Sequence, residues 1–60
     1  MPKHKKAQAI IQMLREQEEA EYRLSNEAHE CGWADRTRMF EYAGVLLSTL
    51  IVEAERSLNE

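Results

Sequence analysis

The stretch "YAGVLLSTLIV", residues 42–52, carries no charge in a chain of which 32% of the residues are charged. Glu41 and Glu53 bound it. A helix that crosses a bilayer takes about 20 predominantly apolar residues, so this run is too short to span a membrane. It has to be covered by protein, and the fold must supply the cover.

Sixty residues allow one domain, residues 1–60. A chain of this size buries only about 60% of the surface that its unfolded form exposes. Firm stability then calls for disulfides, a metal, very good helix packing or self-association. Cys31 is the single cysteine, which rules out an intrachain disulfide and suits a reducing compartment. The basic opening, Lys3 to Lys6, is followed by no apolar segment of signal-peptide length. A cytoplasmic location is the expectation.

One proline and two glycines punctuate a chain rich in Ala, Leu, Glu, Arg, Gln and Met, all strong helix formers. The fold class is therefore all-α. The strongest break is "CGWAD", residues 31–35. Gly32 can adopt the left-handed conformation that closes a helix, with the Trp33 ring laid back near Ala28. Asp35 can cap a new helix starting near Arg36. This predicts an antiparallel hairpin, with helices at about 3–31 and 36–58 and a turn at 32–35. Ser25-Asn26, two poor helix formers, mark a place where the first helix could break.

The second helix has a wide apolar face. Phe40, Leu47, Ile51, Ala54 and Leu58, with Gly44 in register, follow alternating three-and-four spacing, and Met39, Ala43, Leu46 and Leu50 form a second seam beside them. On the first helix, Ile10, Met13, Leu14, Ala20, Leu24, Ala28 and Cys31 make a narrower stripe, interrupted by Gln17 and Glu21, with Ile11 and Tyr22 to its side. That stripe is too narrow and polar to cover its partner. A second copy supplies the missing cover, giving a homodimeric four-helix bundle. The ten seam residues Met39, Phe40, Ala43, Gly44, Leu46, Leu47, Leu50, Ile51, Ala54 and Leu58 are the expected dimer interface. Gly44 costs about 1 kcal/mol against alanine inside a helix, which points to close approach by a neighbouring helix.

Little in the sequence suggests chemistry. Glu18, Tyr22, Ser25 and His29 share a helix face, but His29 and Cys31 are two apart and point to different sides. The metal-ligand spacings Cys-x-x-Cys, His-x-x-x-His and Glu-x-x-His are absent. No metal, cofactor or catalytic residue is expected, and Cys31 reads as a small buried hydrophobe at a helix end. Tyr22, Tyr42, Val45, Thr49 and Val52 lie away from the main seams and are the expected contacts for a protein partner. The glutamates of residues 16–21 would steer the bundle to a basic surface. Lys3, Lys5, Lys6 and Arg15 give an alternative, nucleic-acid contact, although the net charge of −3 opposes generic nucleic-acid binding. A further alternative is a structural subunit of a larger assembly.

In outline the hairpin is similar to two kinds of small helical regulator. One is the plasmid copy-number protein that dimerises into a four-helix bundle on paired RNA loops, whose RNA-contacting face has no counterpart here. The other is the family of short sporulation phosphatases, in which a glycine turn precedes a helix bearing Ser-Gln-Glu-Leu-Asp; this chain has Gly44 to Leu47 at that place. The expectation is thus a non-enzymatic, homodimeric hairpin that occludes a partner surface, as small bacterial or phage-encoded regulators do.

Overall fold

The computed structural model describes residues 4–59. Helix α1 spans Lys5–Glu30 and α2 spans Ala34–Leu58, packed antiparallel along their length. The molecule is a flat rod of 48 × 16 × 9 Å. No strand occurs among the described residues.

The turn is tighter than expected. Cys31 caps α1, Gly32 takes φ +75°, and two amides fold back on the last turn. Gly32 N–H donates to the His29 carbonyl at 3.0 Å and Trp33 N–H to the Ala28 carbonyl at 2.9 Å. These are the two bonds of a Schellman closure, and they satisfy carbonyls that the helix end leaves free. The anticipated link from residue 33 to Ala28 is thus made by the backbone amide. The Trp33 ring is half exposed, with the Arg36 guanidinium 4.7 Å from its centre.

This closure uses only residues 31–33, so α2 begins at Ala34, two residues earlier than the sequence suggested. Trp33 is the N-cap and makes no side-chain cap bond. Asp35 is therefore inside the first turn, where its charge complements the free amides and the positive end of the helix dipole. Helix α1 does not break at Ser25-Asn26. Ser25 is 4% exposed, and its hydroxyl donates to the Thr37 carbonyl at 3.2 Å. A small hydroxyl residue here lets the first turns of α2 approach and gives the Ser25 oxygen a partner.

The interhelical seam is a regular three-and-four alternation on both helices. Ala7, Ile11, Leu14, Glu18, Glu21, Ser25 and Ala28 of α1 meet Thr37, Phe40, Gly44, Leu47, Ile51, Ala54 and Leu58 of α2, all buried or half-buried. Its apolar half is near the chain ends, where Ile11 and Ile51 are covered. The half towards the turn is more polar, with Glu18, Glu21, Ser25 and Thr37, and sets the small residues Ser25, Ala28 and Gly44 beside Phe40.

One expectation about α1 is corrected. Ile11 was placed beside the main stripe, yet it is in the seam. Ile10, Met13 and Leu24, placed on the stripe, are exposed. A helix with two adjacent apolar stripes can bury only one of them against a single partner. The stripe that turns inward carries Ala7, Ser25 and Ala28, small enough for the backbones to approach.

Candidate interaction surface

Gly44 shows what close approach means here. A Cβ built on it would be 2.6–3.0 Å from ring atoms of Tyr22, closer than carbon atoms pack. The Tyr22 ring lies across the backbone of α2 where only glycine leaves room, and the ring remains 39% exposed. Alongside, the Ser48 hydroxyl donates to the Glu18 carboxylate, and the Gln17 amide donates to Glu21 at 2.9 Å. The seam carboxylate Glu18 thus has a hydroxyl partner from across the interface. No buried side-chain nitrogen or oxygen among the described residues lacks a partner.

The ten residues expected at a dimer interface divide into two groups. Phe40, Gly44, Leu47, Ile51, Ala54 and Leu58 face α1 of the same chain. Met39, Leu46 and Leu50 point outward, 65%, 47% and 55% exposed, with Ala43 half-buried between them. The wider of the two α2 seams is thereby consumed within the hairpin, because α1, narrow as it is, still covers it.

The outward residues of the two helices belong together. Ile10, Gln17 and Leu24 each precede a seam residue of α1, namely Ile11, Glu18 and Ser25. Ala43 and Leu50 likewise precede Gly44 and Ile51. In an antiparallel pair, residues that precede equivalent seam positions fall on one side of the hairpin, and residues four after them fall on the other. The ion pair of Arg15 and Glu55 joins two residues of the second kind and so marks the opposite side. The stripe of Ile10, Met13, Ala20 and Leu24 therefore lies beside that of Met39, Ala43, Leu46 and Leu50 on one flat face, with Gln17 its main polar interruption.

The opposite side is mixed. Tyr22, Val45 and Val52 lie on it among Arg15, Glu19, Arg38, Glu41 and Glu55, with Tyr42 and Thr49 along the outer edge of α2. The Thr49 hydroxyl is turned back onto the Val45 carbonyl at 3.1 Å. The five residues expected to meet a partner are thus away from the apolar face, on one flank and edge of the hairpin. Of the basic residues, Lys3 lies outside the described residues, Lys5 and Lys6 are exposed, and Arg15 is engaged by Glu55. The ion pair neutralises one member of the expected basic patch.

Cys31 is exposed rather than buried, because the helix end it caps extends past the last seam residue, Ala28. Among the described residues no group of three or more His, Cys, Asp or Glu gathers to hold a metal ion. A cleft of about 330 Å³ at the open end of the hairpin is lined by His4, Gln8, Ile11, Gln12, Arg15, Glu55, Leu58 and Asn59. Its two charged groups, Arg15 and Glu55, already bind each other.

The sequence reading missed Ile10, Met13 and Leu24 as exposed apolar surface. The signal was present as their spacing; the rotation of α1 about its axis was not. No described helix is long and apolar enough to cross a membrane. No protein-family model matches the chain, and neither a curated protein nor a solved structure does.

Proposed function

We propose that the chain is a non-enzymatic helical association module. Two hairpins pair through the flat apolar face into a four-helix bundle, and the bundle acts by covering the surface of a protein partner. The observation that carries this reading is the coincidence of both outward apolar stripes on one side of the hairpin. Six large apolar side chains, Ile10, Met13, Leu24, Met39, Leu46 and Leu50, are 38–66% exposed there. Monomeric proteins rarely expose contiguous apolar patches beyond a few hundred Å². Once that face is covered, Tyr22, Tyr42, Val45, Thr49 and Val52 remain on the outside as the partner contact, with acidic residues of α1 to steer it.

The test is molar mass in solution by light scattering through a dilution series. The expected value is twice the 7.0 kDa of one chain, falling to a single chain in the Leu46→Ser/Leu50→Ser variant. A folded monomer at tens of micromolar would defeat the pairing. Val45→Ser/Val52→Ser should leave the dimer intact and folded, since both residues are exposed; loss of folding in that variant would show they belong to the core.

A further inference from the structure

We propose that the flat apolar face carries a methionine redox switch: a peroxide converts Met13 and Met39 to sulfoxides, and the oxidised hairpin no longer pairs. This rests on the pairing proposed above and names its regulation. The chain has three methionines. Met1 lies outside the described residues. The other two are both on the flat face, where at 66% and 65% exposure they are its most exposed large side chains.

Their placement spreads the effect over the whole face. Thr37 is level with Ser25, and Glu55 with Arg15, so Met39 is towards the turn and Met13 towards the chain ends. One thioether thus stands near each end of the apolar face. Pairing alone does not call for this residue type. Leucine is close to methionine in volume and replaces it at little cost, and Leu24, Leu46 and Leu50 already occupy the same face. What methionine adds is a sulfur that an oxidant reaches while the hairpin is unpaired.

The area sets the outcome. From their exposures, the six large apolar residues of the face present on the order of 600 Å² per hairpin, and two faces together bury on the order of 1,200 Å², the lower end of stable, specific interfaces. Met13 and Met39 supply roughly two-fifths of it. With both made polar, the apolar area left is on the order of 700 Å², the size of incidental lattice contacts. A pairing at the lower end has no margin for that loss.

The step is a two-electron oxygen transfer. A lone pair on the thioether sulfur attacks one oxygen of hydrogen peroxide, and the S–O bond forms as the O–O bond breaks. Sulfur is oxidised and the peroxide reduced; the hydroxide released takes the proton from the sulfur-bound oxygen and leaves as water. A polar, chiral sulfoxide replaces a flexible apolar side chain. Its oxygen is hydrated on a free hairpin, and covering it without a hydrogen-bond donor is unfavourable. Oxidation therefore acts on the free hairpin and keeps it free.

Light scattering at tens of micromolar, before and after hydrogen peroxide, tests the switch, with mass spectrometry counting the oxygens added. Dithiothreitol afterwards reverses any disulfide at Cys31 and leaves the sulfoxides in place. The native chain should fall from doubled to single mass, while Met13→Leu/Met39→Leu, which keeps Met1 and Cys31, should stay at doubled mass through the same treatment. A native chain that carries both sulfoxides and is still dimeric overturns the switch while the pairing stands. Dissociation of the treated variant overturns it equally, because the effect then belongs to other residues. The reaction rate needs no variant: peptide mapping should show Met13 and Met39 oxidising more slowly, relative to added free methionine, as protein concentration rises, and a rate independent of concentration in a dimerising chain sinks the idea. If the untreated native chain is monomeric, the pairing falls and the switch with it.

Discussion

Replacing Gly44 with alanine tests the contact that shapes the middle of the hairpin. By helix propensity alone the substitution should stabilise the fold by about 1 kcal/mol. Against this, the new methyl group would stand 2.6–3.0 Å from the Tyr22 ring, and the ring must swing out. With 39% of the residue exposed, the ring hides on the order of 100 Å². At about 25 cal/mol per Å², releasing half or all of that area costs about 1–2.5 kcal/mol. Gly44→Ala should therefore be neutral to mildly destabilising in the native chain, yet stabilising by about 1 kcal/mol once Tyr22→Ala has removed the obstacle.

The informative quantity is the coupling between the two sites, about 1–2.5 kcal/mol in a double-mutant cycle. Urea unfolding followed by helical circular dichroism measures it, at one fixed protein concentration because association shifts apparent stability. With a slope of about 1 kcal/mol per molar urea for a domain this small, the coupling is a midpoint difference of about 1 M or more. Should Gly44→Ala stabilise both backgrounds equally, the ring does not lie on the glycine, and the placement of α1 against α2 is wrong at its centre.

Three other substitutions probe the elements that build the hairpin. Gly32→Ala places a side chain at φ +75° with open space around it, so the loss should be purely conformational, about 1–2 kcal/mol by urea unfolding, and Gly32→Asn should recover part of it. Ser25→Ala removes the donor to the Thr37 carbonyl without changing volume much and should cost about 1 kcal/mol, whereas Ser25→Leu overpacks the seam and should cost about 1–3 kcal/mol. Arg15→Ala breaks an ion pair whose side chains are 44% and 45% exposed; solvent screening limits its loss to under about 1 kcal/mol, and that loss should shrink as salt rises in the same unfolding assay.

The sequence was most readable where one residue type has one backbone use. Gly32 marked the turn because left-handed backbone excludes most other residues, and Gly44 marked a close approach because its helix-propensity cost needs a compensating contact. The three-and-four spacing of Phe40, Leu47, Ile51 and Leu58 marked an apolar stripe, which reads as a dimer interface and which the structure turns onto α1 of the same chain. What could not be read was which of two neighbouring stripes α1 would turn inward. Ile10 and Ile11, or Met13 and Leu14, differ little in hydrophobicity and are one residue apart, so periodicity alone leaves the helix free to rotate. The choice depends on matching small to large across the seam, as with Ser25 beneath the Thr37 carbonyl and Tyr22 over Gly44. The α2 start was misplaced for a similar reason. Asp35 is equally at home as an N-cap or in the first turn, and the three-residue closure at Cys31 to Trp33 decided between them.

The distribution of polarity in the hairpin bears on how the proposed pairing would affect its stability. The seam that joins α1 to α2 contains Glu18, Glu21, Ser25 and Thr37, with Ser48 beside it, while the six large apolar residues of the flat face stay exposed. Among the described residues, only Ile11, Ala28 and Ile51 form a buried apolar core. Burial of a large aliphatic side chain contributes about 1.5–3 kcal/mol, so a core of two isoleucines and an alanine, supported by half-buried neighbours, leaves a hairpin near the margin of stability. The outward face holds more unburied apolar surface than the seam has fully covered. Under the proposed pairing, covering that face would supply a large share of the folding free energy and make folding and dimerisation linked equilibria. The unfolding midpoint should then rise with protein concentration in the native chain and lose that dependence in Leu46→Ser/Leu50→Ser. A midpoint independent of concentration in the native chain would mean that the polar seam stabilises the hairpin alone, and the apolar face would need a different occupant.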